Sequence, residues 1–156
     1  VLLSLLDSFS WNMQDSIPEG YTFLYCEEGN FKYLIPNDWT IGQSDGAIYM
    51  QNESVDCSIS ISAISSDVVY DGVTEEQYIS YAGSDKTDFT VLSFQSEDNL
   101  IYAECSYTLS GETAYWVQYL IANGSYEYTL TFASMESSFS DNAETWLTVS
   151  SWFIAV

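Results

Sequence analysis

The reactive inventory of this 156-residue chain is almost entirely carboxylate: 23 Asp and Glu stand against Lys32 and Lys86, with no His and no Arg. Carboxylates alone support two chemistries. A pair of carboxyl groups about 5–10 Å apart can hydrolyse a glycosidic bond, and clustered oxygen ligands suit a hard cation such as Ca²⁺. For the first, Glu27-Glu28 and Glu75-Glu76 are adjacent in sequence, and Glu104 is the one acidic residue inside an otherwise strongly patterned strand. An outward-facing surface charge explains Glu104 as well. For the second, Asp67 and Asp71 flank a short loop and are the candidate metal ligands, without EF-hand spacing.

The residues that are missing exclude more. Without His there is no Ser–His–Asp or Cys–His relay and no His-ligated zinc. Without Arg there is no bidentate clamp for phosphate or carboxylate, and no Gly-rich phosphate loop is present. A formal charge of −21 repels nucleic acid and anionic lipid. It favours basic proteins and cations, and tolerates neutral sugars. No cofactor and no catalytic residue is assigned. Cys26, Cys57 and Cys105 form no C-x-x-C pair and read as three buried thiols, with one bridge and a free thiol as the alternative, and almost no basic group is available to activate a nucleophile.

Thirteen Tyr, eight Phe and five Trp require a folded core despite the charge. They also supply candidate ligand surfaces. Tyr70, Tyr102 and Tyr119 are the candidate partner-binding anchors, because exposed tyrosines favour interfaces. A carbohydrate-binding module would use the same aromatics as a flat platform.

The positioning elements follow from periodicity. Residues 1–12 read as the end of an amphipathic helix, and residues 13–30, with Pro18, Gly20 and Gly29, as a linker. Short strands follow at 31–35 and 46–51. In 56–64, Cys57, Ile59, Ile61 and Ala63 alternate with serines, the pattern of a half-buried strand. Thr74 and Gln77 make a capping box that opens a helix over about 75–83, with Val73 stapled to Tyr78. Four strands at 88–96, 99–109, 113–122 and 126–133 are joined by tight turns, one of them Asn123-Gly124. The 113–122 strand is apolar on both faces and belongs inside the sheet, covered twice. Asp141 and Glu144 predict a capping box for a closing helix to about Trp152, with Trp146, Leu147, Val149 and Phe153 inward. The result is an α+β domain, an antiparallel sheet of six to seven strands covered by helices.

Leu5-Leu6-Asp7-Ser8-Phe9-Ser10-Trp11 echoes Thr148-Val149-Ser150-Ser151-Trp152-Phe153-Ile154, as though residues 1–12 closed a preceding copy of the domain. The alternative is an extra helix packed on the sheet. The division is therefore 1–29 as helix and linker, and 30–156 as the domain. No run approaches the roughly 20 apolar residues of a membrane span, and a chain without an initiator Met reads as a processed or trimmed piece.

Phe31-Lys32-Tyr33-Leu34-Ile35-Pro36-Asn37-Asp38-Trp39 resembles the opening strand of PsbP-like domains. The hairpin Gly111-Glu112-Thr113-Ala114, the strand Tyr126-Glu127-Tyr128-Thr129-Leu130-Thr131-Phe132 and the closing Ser151-Trp152-Phe153 extend the resemblance over about residues 30–156. It implies an α/β/α sandwich and a non-enzymatic role in docking or assembling partners. The bacterial branch, secreted or lipid-anchored through an upstream Cys, fits best. The functional residues of the photosynthetic members have no counterpart here. On this reading the chain is an extracytoplasmic protein-binding or scaffold domain at a bacterial surface. The alternatives are a carbohydrate-binding module and a carboxylate-based glycoside-active enzyme.

Overall fold

The computed structural model describes residues 16–156. The helix expected over residues 1–12, and with it the tandem echo, lies outside the described residues. Seven antiparallel strands form the main sheet in the order β3-β4-β5-β9-β8-β7-β6. They are β3 (Thr40–Ser44), β4 (Ala47–Gln51), β5 (Cys57–Ser65), β6 (Thr87–Glu97), β7 (Leu100–Leu109), β8 (Glu112–Ala122) and β9 (Tyr126–Met135). A second sheet joins β1 (Tyr21–Cys26), β2 (Phe31–Pro36) and β10 (Ile154–Ala155) in the order β1-β2-β10. Helix α1 (Glu75–Ala82) covers one face of the main sheet, and α2 (Glu136–Ser151) covers the other.

Alternation along each strand decides which side chains meet which helix. On β8, Val117 and Ile121 join Trp146 and Val149 of α2, and Phe153 just beyond its end, in one buried cluster. On the other face of the same strand, Leu120 and Ala122 join Tyr78 and Ala82 of α1 in another. The strand expected to be apolar on both faces is therefore interior and doubly covered. Cys57, Ile59 and Ile61 bury against the α2 side, and the intervening serines do not.

The capping box forms as expected. Thr74 Oγ1 accepts the Gln77 N–H at 3.2 Å, and Gln77 Oε1 accepts the Thr74 N–H at 2.9 Å. Four expectations need correction. Residues 21–26, read as linker, form β1, which pairs along its whole length with β2. The strand at 46–51 has an unforeseen edge partner in β3, joined through Asp45 (φ 39°) and Gly46 (φ 79°), an Asp-Gly turn of the hairpin kind. The closing helix starts at Glu136, five residues before Asp141, with Met135 as N-cap and no side-chain cap. Its first turn is held from outside: Ser138 Oγ donates to Asp56 Oδ2, and the Met135 N–H bonds the Asp56 carbonyl at 3.0 Å. Leu147, expected inward, is 62% exposed.

Candidate functional site

The two strands β7 and β8 set Tyr102 directly opposite Tyr119 on the α2 face. Their ring centroids lie 4.7 Å apart, and Tyr119 stacks in turn on Trp146 of α2 at 5.7 Å and 26°. Glu104, two residues along the same strand, shares that face. The Tyr102 hydroxyl donates to Glu104 Oε1. Burial raises the Tyr102 phenol above its ordinary value, and the hydrogen bond and charge of Glu104 raise it further. Burial does the same to Tyr119, with a smaller push from Glu104. Two of the three expected tyrosine anchors and the singled-out carboxylate thus converge on one spot.

Concave openings flank this group toward either end of α2. Toward the C-terminal end, a groove of about 700 Å³ lies between α2 and the approach to β1, with Tyr21, Tyr119, Leu147 and Trp152 in its walls and Glu19, Asp141 and Glu144 on its rim. Toward the N-terminal end, a cleft of about 440 Å³ brings Glu104 and Glu136 into one opening beside Leu92, Tyr115 and Phe139. The Tyr115 hydroxyl donates to Glu136 Oε1 at 3.3 Å, and the Glu136 charge is the main reason its phenol is raised. No Lys lines either opening. Lys86 is spent elsewhere: its ammonium bonds the Ala82 carbonyl at 2.6 Å and sits 4.2 Å over the Trp116 ring.

The other candidates fall differently. Tyr70 is not an exposed anchor. It is buried at 5% exposure beneath α1, on the opposite face of the sheet from Tyr102 and Tyr119, because the β5–α1 loop folds back and its Tyr70 N–H bonds the Asp98 carbonyl at 2.9 Å. Asp67 and Asp71 are both exposed in that loop. Among the described residues no three Asp, Glu or Cys gather closely enough to hold a metal ion. Glu75 and Glu76 occupy the first turn of α1, where carboxylates complement the helix dipole. Cys26, Cys57 and Cys105 are free and buried. Burial lifts Cys57 to about 12 and Cys105 to about 11, and lifts Cys26 as well, so all three sit as inert thiols. The tyrosines of the α2 flank do not form a sugar platform either. Tyr102, Tyr119 and Trp146 turn their faces toward one another instead of lying side by side in a plane.

Sequence reasoning missed Glu136, Asp141 and Glu144 as a set, although Asp141 and Glu144 were read as a cap. They line the site only because the helix begins at Glu136 and lies across β8 and β9.

No protein-family profile matches the chain, and no curated protein is significantly similar to it. Its fold has clear counterparts among solved structures. The cyanobacterial PsbP of Synechocystis sp. PCC 6803 superposes with a TM-score of 0.62 at 12% identity, over 91% of this chain and 96% of that one. A chain from Bacteroides thetaiotaomicron superposes with a TM-score of 0.57 at 16% identity, over 88% of this chain and 49% of that one, so this chain spans about half of its length. The architecture is therefore the PsbP-like α+β sandwich.

Proposed function

We propose that this domain is a non-catalytic docking module working outside the cytoplasm, and that it holds a basic protein surface along the flank of α2. The observation that carries the reading is the pair of openings along α2, one lined by Tyr119 and the other by Glu104. Between them they present Glu19, Glu104, Glu136, Asp141 and Glu144 with no basic residue to neutralise them. Carboxylates rimming apolar and aromatic walls match a partner whose Lys and Arg stems pack on the walls while their heads meet the rim. The field of the whole chain, at a formal −21, steers such a partner in from a distance.

A non-catalytic role is supported by the absence of His and Arg and by the inert thiols. Support for an extracytoplasmic site comes from the scarcity of Lys and Arg, the abundance of Ser, Thr and Tyr, and a fold shared with cyanobacterial PsbP. Among the described residues no helix is long and apolar enough to cross a membrane.

The test is capture from native cell-envelope extract by the wild-type domain and by an Asp141→Lys/Glu144→Lys variant of equal melting temperature. The wild type should enrich a defined set of basic proteins, in a salt-sensitive manner, at least tenfold over the variant. Equal recovery by the two, or enrichment of nothing by the wild type, overturns the reading.

A further inference from the structure

The opposite face of the sheet holds a second, chemically different opening. Beneath α1 lies a pocket of about 230 Å³. Its apolar walls come from three directions: Val68 and Val73 from the β5–α1 loop, Ile101 from β7 and Leu120 from β8. That volume falls below the roughly 300–1,000 Å³ of sites for drug-sized ligands, so its occupant is small.

Two polar groups of the pocket face each other without closing a hydrogen bond. The Tyr70 hydroxyl is buried and has no hydrogen-bond partner among the described residues. A buried hydroxyl left unpaired costs about 1–3 kcal/mol, which makes a Tyr here, in place of a Phe, a feature to be accounted for. The second feature is Glu127, on β9. It is half-buried, and among the described residues its carboxylate has no salt-bridge partner; the one ion pair joins Lys86 to Asp85. Glu127 and Tyr70 are close neighbours: the Glu127 carboxylate adds to burial in raising the Tyr70 phenol, by its charge and as the acceptor the hydroxyl faces, yet the two stay beyond hydrogen-bond distance, and the same charge raises Tyr81. The rings of Tyr70, Tyr78 and Tyr81 all line the pocket, with Tyr78 and Tyr81 centroids 6.3 Å apart. Tyr81 and Val69, both largely exposed, mark the mouth.

Aromatic faces carry negative charge density, so three tyrosines and a carboxylate around a small apolar pocket form a receptor for a positive centre. The unpaired Tyr70 hydroxyl adds an acceptor for an N–H bond. Nothing basic lines the pocket, which argues against an anionic ligand. We propose that this pocket binds a small protonated amine, its ammonium group held between Glu127 and the Tyr70 hydroxyl and its apolar body lying on Val68, Ile101 and Leu120. The site is on the sheet face away from the α2 flank and is independent of any partner docked there.

Calorimetric titration of the whole chain with phenethylammonium tests this, with 2-phenylethanol as the neutral isostere and tetramethylammonium as a cation without N–H. Phenethylammonium should bind saturably with one-to-one stoichiometry, and the alcohol at least tenfold more weakly. Glu127→Gln should lose at least tenfold, Tyr70→Phe several-fold, and Glu53→Gln, on the exposed β4–β5 loop, nothing. Should Glu127→Gln fail to give the wild-type circular-dichroism spectrum, Val69→Trp, which fills the mouth from an exposed position, must abolish binding instead. Equal binding of alcohol and amine, no effect of Glu127→Gln, or no saturable heat overturns the proposal. Tetramethylammonium binding as tightly as the primary amine overturns the role given to the Tyr70 hydroxyl.

Discussion

The α2 face of the sheet is packed by aromatic stacking, whereas the α1 face is locked by polar groups. Beneath the 16-residue α2, Phe132 stacks on Trp146 at 5.6 Å and 9°, Phe31 meets Phe153 at 5.6 Å, and Tyr128 meets Phe153 at 5.3 Å. Beneath the eight-residue α1, the Tyr78 hydroxyl donates to Gln118 Oε1 at 2.9 Å, and Gln118 Nε2 donates to Thr131 Oγ1 at 2.9 Å. All three of those residues are buried. A short helix shields less apolar surface, so its register over the sheet is set by a directional bond. A longer one gains enough from area alone. The incomplete cover also explains why a small pocket survives beneath α1, while the openings on the other face lie along the flank of α2.

This contrast breaks most visibly at Phe132. Phe132→Ala empties the centre of the α2-side core and should cost about 3–5 kcal/mol in denaturant unfolding. Tyr78→Phe keeps the ring but strands Gln118 Oε1, at a cost of about 1–3 kcal/mol. Replacing both partners, as Tyr78→Phe/Gln118→Leu, should recover part of that loss, because no donor or acceptor of the Tyr78–Gln118 bond is then left unpaired. If Tyr78→Phe proves as costly as Phe132→Ala, the α1 face is held by more than this chain of bonds and the contrast fails.

The smallest effect sharpens the comparison at the start of α2. Bonds from Ser138, and from Asn52 Nδ2 at 2.9 Å, hold the Asp56 carboxyl below the usual range. A depressed folded-state value means stability that is present above the unfolded value and lost as pH falls through the folded one. Melting temperature should therefore drop below about pH 4 partly through Asp56. Asp56→Asn should flatten that part of the acid limb by lowering the melting temperature at neutral pH while leaving it nearly unchanged at low pH, where Asp56 is protonated in the wild type too. An acid limb identical in the two proteins would show that the helix start does not depend on this clamp.

What local sequence determined is whatever can be satisfied within a few residues. The Thr74–Gln77 box closes over three positions, Asn123-Gly124 turns a hairpin, and the alternation through Cys57, Ile59 and Ile61 marks a buried face in any sheet. These features placed seven of the ten strands and the shorter helix, and with them the α+β class. The missing His and Arg, read from composition alone, already removed relay and phosphate-clamp chemistry. Tertiary structure decided the rest, because it depends on partners distant in the chain. β1 and β3 are strands only beside β2 and β4, and β10 only beside β2. The first turn of α2 takes its anchor from Asp56, about eighty residues earlier (82 from Ser138), not from its own cap. Tyr70 carries no signal that separates it from Tyr102 or Tyr119, yet a loop folding onto Asp98 buries it against Glu127's neighbourhood, while the other two meet across adjacent strands. Charge could be counted along the chain. Which carboxylates share an opening was settled by where α2 lies on the sheet.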